Sequence, residues 1–204
     1  MLTHEKNALL TQCGPGTPMG TLMRSFWIPA MTAAEVPAAD EPPVRLTLLG
    51  ERLVVFRDSE GRVGVLEENC PHRGASLFFG RNEEGGIRCV YHGWKFDVQG
   101  NCMQMPTEPS TSRMCQKVKA RAYPARLAGA VLWVYMGDAQ PVPELPAFGF
   151  MGLPEENLFA SRWHQECNYA QAMEGELDSA HVGFLHQMVN KTDPDNQALT
   201  GKYF

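Results

Sequence analysis

The sequence lacks any long apolar run. Its longest, around residues 128–136, falls far short of the roughly 20 residues a bilayer-crossing helix needs, which excludes a helical membrane protein. The N-terminus, Met1-Leu2-Thr3-His4-Glu5-Lys6-Asn7, has no apolar signal core, so the expected compartment is a reducing cytoplasm rather than an export route. Positive charge is scarce as well. The chain of 204 residues carries a net charge of −5 without a basic stripe, a polybasic tract or an amphipathic basic segment. Neither nucleic acid nor a membrane surface is therefore an expected partner. There is no internal repeat and no low-complexity tract. The glycine-rich stretch Gly14-Pro15-Gly16-Thr17-Pro18 lacks the Gly-Lys-Ser/Thr ending of a phosphate loop and reads as turns.

What is present is concentrated in two short motifs, Cys70-Pro71-His72 and Cys89-Val90-Tyr91-His92. Each supplies one thiol and one imidazole, and together they provide the ligands of a Rieske [2Fe–2S] centre: two thiolates on one iron, two imidazoles on the other. A disulfide between Cys70 and Cys89 fits the count of six cysteines but not the expected compartment. Mononuclear zinc is the stronger rival, because Cys₂His₂ is also a zinc set. Zinc sites usually group like ligands, as C-x₂₋₄-C and H-x₃₋₅-H, whereas here each loop mixes the two types. The flanking Arg73-Gly74 and Gly93-Trp94 fit the Rieske reading further. Imidazole ligation raises the cluster potential relative to an all-cysteine ferredoxin, so electron transfer is the first functional expectation.

Around these loops the sequence alternates short β-rich runs with turns. Strands are expected over residues 44–49, 52–57, 62–66, 87–91, 95–98, 102–105, 118–123 and 130–136, with hairpins at Gly50-Glu51 and Asp58-Ser59-Glu60-Gly61. This pattern predicts a mainly β domain, a small antiparallel sandwich or barrel, over residues 41–137 after an N-terminal segment of residues 1–40. Pro141, Pro143 and Pro146 mark a linker over residues 138–149. Residues 150–204 begin a different kind of domain, with a helix expected across residues 168–185.

That helical stretch carries Asp178-x₂-His181-x₄-His186. On an ideal helix Asp178 and His181 lie about 60° apart, while His186 sits about 140° around from His181. The imidazoles converge on one ion only if the helix ends or bulges between them, and Gly183 is placed to allow it. A polar helix face at a core edge is the plain alternative. Beside an electron-transfer cluster, two imidazoles and a carboxylate point instead to a non-haem Fe(II) site.

The cluster loops, the Asp178 to His186 segment, and the N-terminal Gly14 to Gly20 and Arg24 to Ala30 stretches together resemble the oxygenase α subunit of Rieske non-haem iron aromatic-ring oxygenases, nearest in pattern to its phthalate 4,5-dioxygenase branch. The resemblance implies that Cys70, His72, Cys89 and His92 hold the cluster, that His181 and His186 ligate a mononuclear Fe(II), and that Asp178 bridges a ligating histidine to the cluster histidine of a neighbouring subunit. The fold it implies for residues 150–204 is the helical start of an α+β helix-grip-type catalytic domain. The family's third iron ligand is a downstream aspartate. Only 18 residues follow His186, and they read as loop, so the catalytic domain is expected to be incomplete unless Asp178 itself serves as third ligand.

The implied function is that of a cytoplasmic bacterial enzyme, the oxygenase component of a multicomponent system. It would hydroxylate an aromatic, phthalate-like carboxylate with O₂, using electrons drawn from NAD(P)H by a flavin and iron–sulfur reductase, in a homotrimer or stacked trimers. Monooxygenation and O-demethylation belong to the same chemistry, and a Rieske electron carrier without its own catalytic site is the alternative from another class. Other residues carry less. Trp94 reads as a cluster shield or a core tryptophan, Arg73 as a partner contact or a solvated cation, and His164 as a surface residue. Cys13, Cys102, Cys115 and Cys167 read as reduced, packed thiols.

Overall fold

The computed structural model describes residues 2–109 and 111–185. They fall into two compact units, one of residues 12–163 and one joining residues 2–11 to residues 164–185. In chain order the elements are α1 (His4–Thr11), α2 (Pro18–Arg24), β1 (Trp27–Thr32), β2 (Val44–Leu48), β3 (Glu51–Arg57), β4 (Val63–Glu67), β5 (Arg81–Glu83), β6 (Gly86–Arg88), β7 (Lys95–Phe96), β8 (Cys102–Gln104), β9 (Ala125–Ala128), β10 (Val131–Tyr135), α3 (Tyr169–Leu177) and α4 (Val182–Leu185). The expected mainly β class is what the structure has: antiparallel sheets ordered β1-β10-β9, β2-β3-β4 and β5-β6-β7-β8.

Strand β3 organises the larger unit. Leu53, Val54, Val55 and Phe56 are all fully buried, and successive side chains on a strand point to opposite faces. Leu53 and Val55 join Leu46, Val65, Leu132 and Val134 in one core, whereas Val54 and Phe56 join Leu66, Leu77, Ile87, Phe96, Cys70 and Cys89 in another. An uninterrupted apolar run is what a strand covered on both faces requires. The second of these cores is the one that surrounds the cysteines.

Three hairpins close through residue pairs with positive φ, the type I′ geometry that matches strand twist: Leu49-Gly50, Glu84-Gly85 and Gly129-Ala130. The first of these moves the expected Gly50-Glu51 turn back by one residue, leaving Glu51 paired with Leu48. The last breaks the apolar run near residue 130 into β9 and β10. Residues 118–123, expected as a strand, make only isolated bridges from Lys119 to Asn101 and from Ala122 to Leu66. The pairing strand lies beyond Pro124, where Ala125 to Ala128 face Val134 to Val131.

The elements not anticipated are α1, α2, β1 and β5. Helix α2 is capped by Thr17, whose hydroxyl accepts the Gly20 N–H at 3.1 Å, with Pro18 starting the helix. Strand β1 runs along β10 at the sheet edge, where Pro29 is tolerated beside a register shift. Residues 142–145 pack beside Trp27 and Trp133, and the Trp27 Nε1–H donates to the Pro143 carbonyl at 2.8 Å. In the smaller unit the expected single helix is two. Helix α3 ends at Leu177 and α4 begins at Val182.

Candidate metal centre

The two cysteine–histidine loops share one backbone frame. In the first, which follows β4, the Cys70 N–H donates to the Ala75 carbonyl at 2.9 Å and the Gly74 N–H returns to the Cys70 carbonyl at 2.9 Å. In the second, which joins β6 to β7, the Cys89 N–H donates to the Trp94 carbonyl at 2.8 Å and the Gly93 N–H to the Cys89 carbonyl at 3.0 Å. Gly74 and Gly93 occupy the same place in each frame, with φ of 70° and 74°, a conformation that penalises any Cβ. The histidines do not occupy the same place. His72 is two residues after its cysteine and His92 three, so the imidazoles leave equivalent frames in different directions. They meet with ring centroids 4.5 Å apart and planes inclined by 63°.

The thiols are nearly sealed from solvent, with Cys70 at 2% and Cys89 at 3% exposure, while both imidazoles are half-buried. Trp94, from the second loop, stacks on His72 of the first at 4.3 Å with ring planes 8° apart. That contact locks the two loops together, and Trp94 is a buried core residue. Two braces hold the frames from behind. Glu68 receives the Ser76 hydroxyl and the Arg45 Nε–H, the latter at 3.0 Å, which clamps both ends of the first loop. Arg88 donates to the Gly93 carbonyl at 3.0 Å, to Gln104 at 2.7 Å and to Glu83 at 2.5 Å, which ties the second loop to β5 and β8. Sequence reading missed Glu68 and Arg88, because nothing local marks a charged residue as a loop brace.

The electrostatics suit ligation. Burial, followed by the neighbouring Cys89 thiol, pushes the Cys70 thiol up to about 11. Burial, His92 and Arg73 lower the His72 pKa and keep its imidazole neutral. The pocket thus disfavours a bare thiolate at Cys70 and an imidazolium at His72. His92 Nδ1 and Trp94 Nε1 are buried without a hydrogen-bond partner, and a buried polar atom left so is costly unless something completes it. Among the described residues no three or more of His, Cys, Asp and Glu close around one ion. The donors come instead as one pair of thiols and one pair of imidazoles, and two ligands per iron is what a [2Fe–2S] cluster asks. The donor set fits that group.

In the smaller unit, Asp178 terminates α3, and its Oδ1 accepts the Ala180 N–H at 2.8 Å while Oδ2 lies 3.2 Å from His181 Nδ1. The Ala180 N–H, with His181, holds the Asp178 carboxyl below the usual carboxylate range. The helix therefore breaks at Asp178, five residues before its expected break at Gly183, which lies within α4. Asp178 and His181 meet across this break instead of along one helix face. Cys167, Gln171, Glu176 and His181 line a groove of about 550 Å³. His186 lies outside the described residues. Of the side residues, Arg73 and His164 are exposed. Cys102 and Cys115, which have no partner at metal-ligand spacing, lie with Sγ atoms 3.3 Å apart.

Comparison with known proteins agrees with this geometry. Residues 26–124 match the Rieske [2Fe-2S] domain family, and residues 134–199 match the family described as LigXa C-terminal domain like. The chain is 50% identical over 190 residues to the phthalate 4,5-dioxygenase oxygenase subunit of Pseudomonas putida, covering 91% of this chain and 42% of that protein. It is 47% identical over 186 residues to the 3-chlorobenzoate-3,4-dioxygenase oxygenase subunit of Comamonas testosteroni, covering 91% and 43% respectively. The chain thus spans less than half the length of these two relatives. The structure of apo dicamba monooxygenase superposes with a TM-score of 0.56 at 30% identity, over 63% of this chain and 39% of that one. Family matches on both sides of residue 130, relatives that are Rieske-type oxygenase subunits and the paired loops lead to one assignment: the chain belongs to the Rieske oxygenase family, with a Rieske [2Fe-2S] domain followed by a LigXa-type C-terminal domain.

Proposed function

We propose that this chain belongs to the oxygenase component of a multicomponent Rieske non-haem iron oxygenase that hydroxylates an aromatic carboxylate of the phthalate type. The observation that carries the reading is the repeated turn frame, which presents two buried thiols and two touching imidazoles from rigid hairpins. Cys70 and Cys89 hold one iron and His72 and His92 the other. When bound, the cluster supplies one-electron transfer at a potential raised by its imidazole ligands. Trp94 covers the His72 face and keeps water from it, while Arg88 and Glu68 fix the loops so that little reorganisation accompanies a change of charge.

His181 and His186 are the proposed imidazole ligands of a mononuclear iron, with a third ligand from outside this sequence. Asp178 orients His181 through the contact at 3.2 Å, the kind of outer contact that holds the ring of a ligating histidine in place. The proposed electron supply is NAD(P)H through a flavin and iron–sulfur reductase. One relative in the solved structures, carbazole 1,9a-dioxygenase, is an oxygenase in complex with a ferredoxin, which supports an external electron donor of this kind. The substrate class rests on the phthalate and chlorobenzoate relatives.

The test is metal content and spectroscopy of the full-length gene product. Two irons and two sulfides with a Rieske signal, plus a third iron that binds nitric oxide in the presence of an aromatic carboxylate, are expected. A Rieske signal with no further iron would make the protein an electron carrier.

A further inference from the structure

We propose that Cys102 and Cys115 form an oxidation-sensitive dithiol that a hydroperoxide closes to a disulfide beside the candidate cluster site. Their Sγ atoms are 3.3 Å apart, and the Cys115 thiol also donates to the Cys102 carbonyl at 3.1 Å. A disulfide needs about 2.05 Å between sulfurs, so closure asks for a displacement of little more than 1 Å. The backbone already runs in place for it. The Ala120 N–H donates to the Gly100 carbonyl at 2.8 Å, and Asn101 bridges Lys119. The segments that carry the two cysteines are thereby held side by side.

Both residues are half-buried and pack against the core that contains Cys70, Cys89 and Met105. No metal-ligand spacing and no proposed electron-transfer role accounts for them. Burial, the largest cause, and the adjacent Cys115 thiol push the Cys102 thiol up to about 12. Oxidation that begins at either sulfur ends in the same disulfide. Starting at Cys115, its sulfur attacks one oxygen of the hydroperoxide, the O–O bond breaks, and the other oxygen leaves with the thiol proton as an alcohol, or as water from hydrogen peroxide, so that Cys115 becomes a sulfenic acid. Cys102 then attacks that sulfur, the S–O bond breaks, and the hydroxide leaves as water with the thiol proton. Two thiols are oxidised by two electrons and one peroxide is reduced.

Closing the bond would fix β8 to the turn at residues 115–117. That anchors both ends of the segment containing Pro106, whose ring packs against Gly93 of the second ligand loop. The proposal is independent of which substrate the protein oxidises.

The test uses the full-length, cluster-loaded protein. It is exposed to stepwise equivalents of hydrogen peroxide, its remaining thiols are alkylated, and tryptic peptides are weighed. Trypsin separates Cys102, on residues 96–113, from Cys115, on residues 114–117. A single linked species of these two peptides, lighter by two hydrogens than their sum and lost on reduction, is expected before the exposed Cys167 is half oxidised. In Cys115→Ser the linked species should vanish while the Rieske absorption is retained. If Cys102 and Cys115 both stay alkylatable at peroxide levels that consume Cys167, the dithiol is inert and the proposal fails. Linkage of either cysteine to Cys70 or Cys89 in place of the other overturns it equally.

Discussion

At the scale of single residues, the two frame glycines make the sharpest comparison. Gly74 and Gly93 have nearly the same φ, and an L-residue there costs roughly 1–2 kcal/mol. A Cβ on Gly74 meets open space, whereas one on Gly93 would lie 2.7 Å from the Pro106 ring. Gly74→Ala should therefore keep its iron and sulfide content, and Gly93→Ala should lose most of it, as measured by iron and labile-sulfide assay per chain. Equal losses would mean that the frame itself, and not its packing, limits assembly. For the ligands, His72→Cys replaces an imidazole by a thiolate and should shift the visible spectrum or lower the potential. An unchanged spectrum and potential would remove His72 from the ligand set. Glu51 supplies the residue-scale pH dependence. Burial raises its pKa, but the Tyr123 hydroxyl, Arg24 and Arg121 outweigh burial and hold it below the usual range. A folded-state pKa below the unfolded value of about 4.3 means this stability is fully present above that pH and is lost as pH falls through the depressed value. Glu51→Gln should flatten the acid limb of stability against pH in urea unfolding. It should also cost roughly 3–5 kcal/mol at neutral pH, because Arg24 loses its buried charge partner. A steep acid limb persisting in the variant would assign that limb to another carboxylate.

At the scale of elements, the small β5-β6-β7-β8 sheet owes its stability to apolar packing more than to its ion pairs. Lys95 on β7 is fully buried, yet its partner Glu84, at 3.1 Å, is largely exposed. A charge buried against a solvated partner recovers little of its desolvation cost, so Lys95→Met should be neutral or stabilising by about 1 kcal/mol in chemical denaturation. Destabilisation by more than that would reveal a role for the ammonium beyond this pair. The same sheet shows what the sequence made legible. The cysteine–histidine pairs could be read because each lies within four residues on one turn, where local spacing determines local geometry. The apolar run of β3 and the Asp58 hairpin were legible for the same reason. Strands β1 and β5 were not, since a three-residue or proline-bearing edge strand has no period of its own and forms only against β10 or β6. The break at Asp178 was misplaced because helix propensity runs through residues 168–185, while the side chain of Asp178 captures the Ala180 N–H and ends the helix. Trp94 on His72, Arg88 on Gly93 and Cys102 against Cys115 are contacts between elements, and nothing in the local pattern encodes them.

At the scale of the whole molecule, the cluster ligands and the Asp178–His181 pair belong to different compact units. If the proposed function holds, electrons pass between these sites across a subunit boundary, and the assembly rather than the chain is the working circuit. Complementation distinguishes the two routes. One full-length variant, His72→Ala with His92→Ala, lacks a working cluster but keeps its iron ligands. A second, His181→Ala, keeps the cluster but lacks the iron site. Each alone should be inactive toward an aromatic carboxylate with reductase and NAD(P)H. Mixed oligomers, made by co-expression with different affinity tags and purified through both, should recover a measurable fraction of wild-type turnover, because the cluster of one subunit feeds the intact iron site of its neighbour. Adding Asp178→Asn to the first variant, which carries the working iron site, should abolish that recovery without altering reduction of the cluster in the second, since Asp178 orients the histidine on the accepting side. Mixed oligomers that stay inactive, while their clusters are reduced and their iron sites are filled, would place the whole circuit within one subunit and withdraw the bridging role from Asp178.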